Sequence, residues 1–207
     1  QSRAGIALSL MVTGGSLLLA NLLYPSGRVR GLTLVVLLAV LLGGLKVADT
    51  LIERIRSAPE ASEQAREEFN VAADMMAAER TWGVGLNCFS LVLTEDSRFN
   101  EHIVVMANEE QAGVCHHIYR LTAAELGRPG LLAFVLMIGY FVLLNLRGLF
   151  RLRSPARALA GGLLLGSLAL HLSGFLEWAF RISPVAYQYT FSCALAAGLW
   201  GAETRRG

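Results

Sequence analysis

Residues 129–157 read PGLLAFVLMIGYFVLLNLRGLFRLRSPAR. From Pro129 to Leu146 no side chain carries a charge, and then Arg147, Arg151, Arg153 and Arg157 follow in quick succession. An apolar run of about this length crosses the hydrocarbon core of a bilayer when it is helical. In lipid the backbone polar groups must be satisfied within the segment, which a helix does. The stretch therefore predicts a membrane-crossing helix that ends in a basic loop.

Four more runs of the same kind stand out: Gly5–Tyr24, Gly31–Val47, Ala158–Phe175 and Pro184–Gly201. Arg3 ahead of the first apolar run invites comparison with a signal peptide. That run is too long, lacks a clear cleavage site and is followed by further spans, so it reads as a membrane helix. Composition agrees: 54% of the 207 residues are hydrophobic and only 16% are charged, where a soluble domain carries about a quarter. The fold class expected is all-α, a polytopic membrane helical bundle of about five transmembrane helices with a helical extracytoplasmic loop domain. Residues 1–51 would form two spans, 52–128 the loop and 129–207 three spans. Nothing in the pattern points to nucleic acid.

Arginine placement sets the orientation. Arg28, Arg30, Arg147, Arg151, Arg153, Arg157, Arg205 and Arg206 all fall on one side of the spans, against the single acid Glu203. The long segment Ile52–Arg128 holds 13 acids and 7 arginines. Short arginine-rich loops stay in the cytoplasm, which puts the long acidic segment outside. Cysteine labelling in a cysteine-free background tests this. A membrane-impermeant thiol reagent is expected to reach Ser97→Cys in intact cells and Ser154→Cys only after permeabilisation. The reverse pattern would invert the topology.

The outer segment carries helical signals of its own. Ser57-Ala58-Pro59-Glu60 has the spacing of a capping box with proline in the first turn. Phe69, Ala72, Ala73, Met76 and Ala77 then recur at helical spacing, predicting an amphipathic helix over Ala58–Glu79. Arg66 shares that face; it either meets an anionic partner or runs its stem past the apolar stripe to water. The glycines of Trp82-Gly83-Val84-Gly85-Leu86-Asn87 permit a tight turn. Thr94–Gln111 is polar and reads as a loop. A second helix is expected from about His116 to Gly127, which suits a C-terminal cap, with Pro129 opening the next span.

The chemistry-bearing residues gather near the end of this segment. His116 and His117 lie beside Arg120, Glu125 and Arg128 at the expected membrane surface. Histidine titrates near neutrality and can take a proton from an incoming hydroxyl, while arginines can hold a phosphate through paired N–H donors. A plainly solvated histidine pair is the other reading. His102, Cys115, His116 and His117 could supply zinc ligands, but adjacent histidines on a helix point about 100° apart and rarely share an ion. No His-Glu-x-x-His, Gly-x-Ser-x-Gly or glycine-rich phosphate loop is present. His171 and Glu177 sit within and at the end of one apolar run, where a packed histidine and a functional one are both open. Cys193 reads as a small core residue, whereas Cys88 and Cys115 could pair if their segment meets an oxidising compartment.

Taken in order, the segment Arg66-Glu-Glu-Phe-Asn-Val-Ala-Ala-Asp-Met-Met, the turn Trp82–Phe89, His116-His-Ile-Tyr, Ala124-Glu-Leu-Gly and the apolar helix after them form a pattern. Over roughly residues 60–146 it resembles the O-antigen ligase family. The resemblance implies a GT-C-like, metal-independent membrane glycosyltransferase without cofactor, of which this chain is the C-terminal half, with further spans ahead and no activity alone. Its donor would be a glycan on a polyprenyl-diphosphate carrier. Its acceptor would be lipid A core oligosaccharide, as in lipopolysaccharide biosynthesis, or another glycan or a protein. It would sit in the bacterial inner membrane with 52–128 in the periplasm. His116 corresponds to the family's essential histidine and Arg66 to its phosphate-contacting arginine. Arg98 stands in for a second such arginine, and Arg120, Glu125 and His117 complete the expected diphosphate- and glycan-binding set. The family's asparagine after the histidine is His117 here. An O-antigen polymerase, a protein O-oligosaccharyltransferase and a non-enzymatic scaffold or transporter half are the alternatives.

Overall fold

Every regular element is helical in the computed structural model, which describes residues 3–56, 60–101, 103, 113–153 and 155–204. The order is α1 (Arg3–Leu23), α2 (Gly27–Arg56), α3 (Glu60–Glu79), α4 (Phe89–Glu95), α5 (Ser97–Asn100), α6 (Ile118–Arg151), α7 (Ala156–Ser173) and α8 (Ser183–Thr204). A short 3₁₀ turn, Ala179–Arg181, precedes α8. Among the described residues four stretches are long and apolar enough to cross a membrane: Gly5–Leu23, Gly27–Lys46, Ile118–Arg151 and Ala156–Ser173. Their large apolar side chains point outward; Met11, Leu34 and Leu136 are each more than 60% exposed. In water that surface would cost about 25 cal/mol per Å², so lipid is the solvent it is made for. The fifth expected span, Pro184–Gly201, is also helical but does not belong to this set. Tyr187, Gln188, Tyr189, Thr190 and Ser192 place hydroxyl and amide groups in its first half, which lowers its hydropathy.

The chain divides into two compact units, one of Gln1–Ala58, Phe141–Leu170 and Gln188–Gly207, the other of Pro59–Tyr140 and His171–Tyr187. Small residues bring the helices of the first together. A side chain at Gly15 would touch Leu165, and one at Gly161 would meet Leu149 and Leu19. Close approach through small residues is the usual way membrane helices gain dispersion contact. Asn21 Nδ2 donates to Thr33 Oγ1 at 2.7 Å, joining α1 to α2.

The second unit has its own core. Phe69, Ala72, Ala73 and Met76 of α3 are buried, as the periodicity predicts, and pack with Phe89, Leu93, Phe99, Ile118 and Leu121. Each large side chain so buried contributes about 1.5–3 kcal/mol. Of the polar stretch Thr94–Gln111, residues 94–101 and 103 are described, and they depart from the loop expected there. They carry the end of α4 and all of α5, and Phe99 and Ile103 bury their side chains. Asp96 starts α5 by accepting from the Arg98 backbone N–H, the usual N-cap device. Ser57 of the expected capping box lies outside the described residues, as does His102. The three cysteines are free thiols, so the bridge that Cys88 and Cys115 could have formed is absent. Cys115 is instead buried with its thiol donating to Asn70 Oδ1 at 3.2 Å.

The glycine-rich turn has a definite task. Val84 N–H donates to Ala124 O and Gly85 N–H to Glu125 O, both at 2.9 Å. These carbonyls belong to the last turn of the helix that begins at Ile118, which has no helical donors of its own there. Gly127 then takes φ 69° and ψ −175° and breaks α6 before Pro129 resumes it. A side chain at Gly127 would place its Cβ 2.0 Å from Thr81 O. Positive φ and this contact act together, so Gly127→Ala is expected to cost about 3 kcal/mol. A fall in the thermal unfolding midpoint of the detergent-solubilised protein checks it, and an unchanged midpoint would mean the break is dispensable.

Candidate functional site

The turn after α7 docks onto the start of α6 through backbone contacts. Ile118 N–H, an unsatisfied donor of the first helical turn, donates to Gly174 O at 2.9 Å. Gly174 lets the strands of chain approach, because an added Cβ would lie 2.7 Å from Ile118 Cγ2. Tyr119 OH donates to His171 O at 3.2 Å, and its ring packs at 4.8 Å from that of Phe175. This docking carries Glu177 to the residues just ahead of α6.

Glu177 is the centre of the arrangement. Its Oε2 lies 3.4 Å from His116 Nδ1 and its Oε1 lies 3.7 Å from Arg66 Nη2. Trp178 meets the His116 ring edge to face at 6.3 Å. His116 is about one-third exposed and Arg66 about two-fifths, so both remain open to a ligand. With a carboxylate at Nδ1, the tautomer that donates from Nδ1 is favoured, leaving Nε2 as the basic nitrogen. Arg66 thus has the anionic partner that its place on α3 called for.

The remaining expected site residues are not drawn into this cluster. Arg98 pairs with Asp96 at 2.6 Å and with Glu79 at 3.1 Å. Glu79 lies about 20 Å along α3 from Arg66, too far for both arginines to grip one diphosphate. The Arg98 guanidinium beside it holds the Asp96 carboxyl below the usual carboxylate range. Arg120 pairs with Asp74 at 3.2 Å. Glu125 is only 3% exposed, pairs with Arg181, and accepts from the Phe89 N–H at 3.3 Å. It ties α4 and the 3₁₀ turn to α6 and has no surface left for a sugar. His117 packs against Phe175 and Tyr119 at 5.3 and 5.8 Å. Burial first, and then the Arg120 charge, lower its pKa, so it stays neutral at pH 7. His171 is buried and stacked on Phe180.

Glu177, Trp178 and Arg181 are the participants that motif spacing does not reveal. The one signal ahead of the structure is that Glu177 is a carboxylate at the end of an apolar run, which such runs rarely keep without a use. Among the described residues no group of three or more His, Cys, Asp or Glu side chains is placed to hold a metal ion. No model of a protein family, no curated protein and no solved structure matches the chain.

Proposed function

We propose that this chain is part of a metal-independent membrane glycosyltransferase of the O-antigen ligase kind, with a GT-C-like helical architecture. It would transfer a glycan from a polyprenyl-diphosphate carrier to an acceptor such as lipid A core oligosaccharide. The observation that supports this best is the meeting of Arg66 and His116, from different elements, on the single carboxylate of Glu177. A basic nitrogen, a carboxylate that orients it and a half-open guanidinium at the end of membrane helices are the groups such a transfer requires.

In this reading the acceptor hydroxyl oxygen attacks the anomeric carbon of the donor sugar. The bond from that carbon to the diphosphate oxygen breaks, and the electron pair leaves with the lipid diphosphate. His116 Nε2 takes the hydroxyl proton, and Glu177 balances the imidazolium that forms. Arg66 offers two parallel N–H donors to the diphosphate as its charge develops. The apolar faces of the spanning helices accommodate the polyprenyl tail. The acidic segment 52–128 and this cluster would face the periplasm of a bacterial inner membrane. A polymerase or a protein O-oligosaccharyltransferase would share this donor chemistry and differ in the acceptor.

The test is transfer from a polyprenyl-diphosphate glycan in membranes holding the native protein, with chelator present. Transfer is expected to persist with chelator and to be lost in Arg66→Ala. Arg66→Lys is expected to restore little, since a point charge cannot copy a planar fork on phosphate. Full activity in Arg66→Ala would remove the arginine from the mechanism.

A further inference from the structure

The opposite, arginine-rich end of α6 carries a cavity that the glycan-transfer reading does not use. It has a volume of about 300 Å³ and is lined by Leu144, Arg147, Arg151 and Trp200. We propose that it binds the head group of an anionic phospholipid, the phosphodiester being held by Arg147 and Arg151 with Trp200 as one wall. This inference stands apart from the proposed transfer activity.

Spacing and charge argue for it first. Arg147 and Arg151 are four residues apart and share a face of α6, with their Cβ atoms about 5–6 Å from each other. Both are exposed, and among the described residues no ion pair joins either to a carboxylate. The sequence has no acid between Glu125 and Glu177, and Glu203 is the single acid beside the eight arginines of this side. Two like charges on one face repel, and a shared anion relieves that repulsion. Guanidinium is also the side chain best matched to phosphate oxygens.

The walls argue for a lipid. Trp200 Nε1 donates to Leu144 O at 2.9 Å, which fixes the indole at the cavity rim and ties α8 to α6. Tryptophan held where apolar helix meets charge is the ordinary marker of the bilayer interface. Leu144 supplies an apolar wall, and Leu143, Leu146 and Phe150 nearby are exposed, a surface suited to the first methylenes of acyl chains. Basic pockets between membrane helices on the cytoplasmic side are known to take anionic head groups, and the arginine bias assigns this end to that side.

The shared chemistry, a phosphate oxyanion, could come from a lipid or from free phosphate, and the experiment separates them. The purified protein in neutral detergent is titrated with phosphatidylglycerol, with phosphatidylcholine and with inorganic phosphate, and bound molecules are counted by native mass spectrometry. One phosphatidylglycerol is expected to bind at least tenfold more tightly than phosphatidylcholine, and equimolar inorganic phosphate is expected not to displace it. The R147Q/R151Q protein should lose that preference while keeping its helix content, and R147K/R151K should retain part of it. Displacement by equimolar phosphate would assign the cavity to a free anion and overturn the lipid reading. Equal binding of the two lipids, or an undiminished preference in R147Q/R151Q, would overturn the site.

Discussion

His116→Ala is expected to abolish the proposed glycan transfer in the native protein while leaving expression and membrane insertion unchanged. A lost general base costs on the order of a hundred- to ten-thousand-fold in rate, and the adjacent histidine is not placed to replace it. His117 is the closest candidate, but it packs against Phe175 and Tyr119. His117→Asn is therefore expected to be tolerated. Glu177→Ala should slow transfer by about a hundredfold or more, because the imidazole loses both the partner that fixes its tautomer and the charge that balances its protonated form. The effects of His116→Ala and Glu177→Ala should not add, since the two groups act as a unit. The decisive measurement is transfer from the polyprenyl-diphosphate donor in membranes, for both single variants and the double. Retained activity in His116→Ala would sink the mechanism. Loss in His117→Asn alone would move the role to the other histidine.

How far the residues foretell this arrangement depends on the range of the interactions involved. Hydropathy is a local property, so the apolar runs and their approximate ends are legible, down to the break at Gly127 and the restart at Pro129. The buried face of α3 is legible for the same reason, because Phe69, Ala72, Ala73 and Met76 are set by a 3.6-residue period. The period shows that Arg66 shares the apolar face of α3 but not which carboxylate it meets. That partner, Glu177, arrives from a distant part of the chain through a backbone hydrogen bond at Gly174. Glu125 is the converse case. Its place after His116 suggests a ligand for sugar, and only the arrival of Arg181 makes it a buried structural group. Phe99 and Ile103 were hidden because the large apolar side chains of Thr94–Gln111, Phe99 and the run from Ile103 to Met106, follow no helical period among the polar residues. Pro184–Gly201 shows the limit of composition, where helix length suffices and polar side chains decide the hydropathy.

Arg181 offers the largest structural effect. Its guanidinium pairs with the Glu125 carboxylate, which is 3% exposed, and burial lowers the arginine's own pKa. In Arg181→Met the carboxylate remains buried with only the Phe89 N–H to satisfy it. Breaking a buried pair from one side costs about 3–5 kcal/mol, because the other charge is left without a partner. For a unit of this size the loss corresponds to a fall on the order of 10 °C or more in the unfolding midpoint. Glu125→Gln/Arg181→Met should recover a good part of it, since the amide still accepts from Phe89 and a buried amide costs less than a buried charge. Cys115, fully buried in the same core, provides the readout. In a background with Cys88 and Cys193 replaced by serine, a thiol-reactive fluorophore should label it at lower temperature in the single variant and nearer the parent temperature in the double. Labelling of Arg181→Met at the parent temperature would mean that Glu125 reaches water and does not depend on the pair.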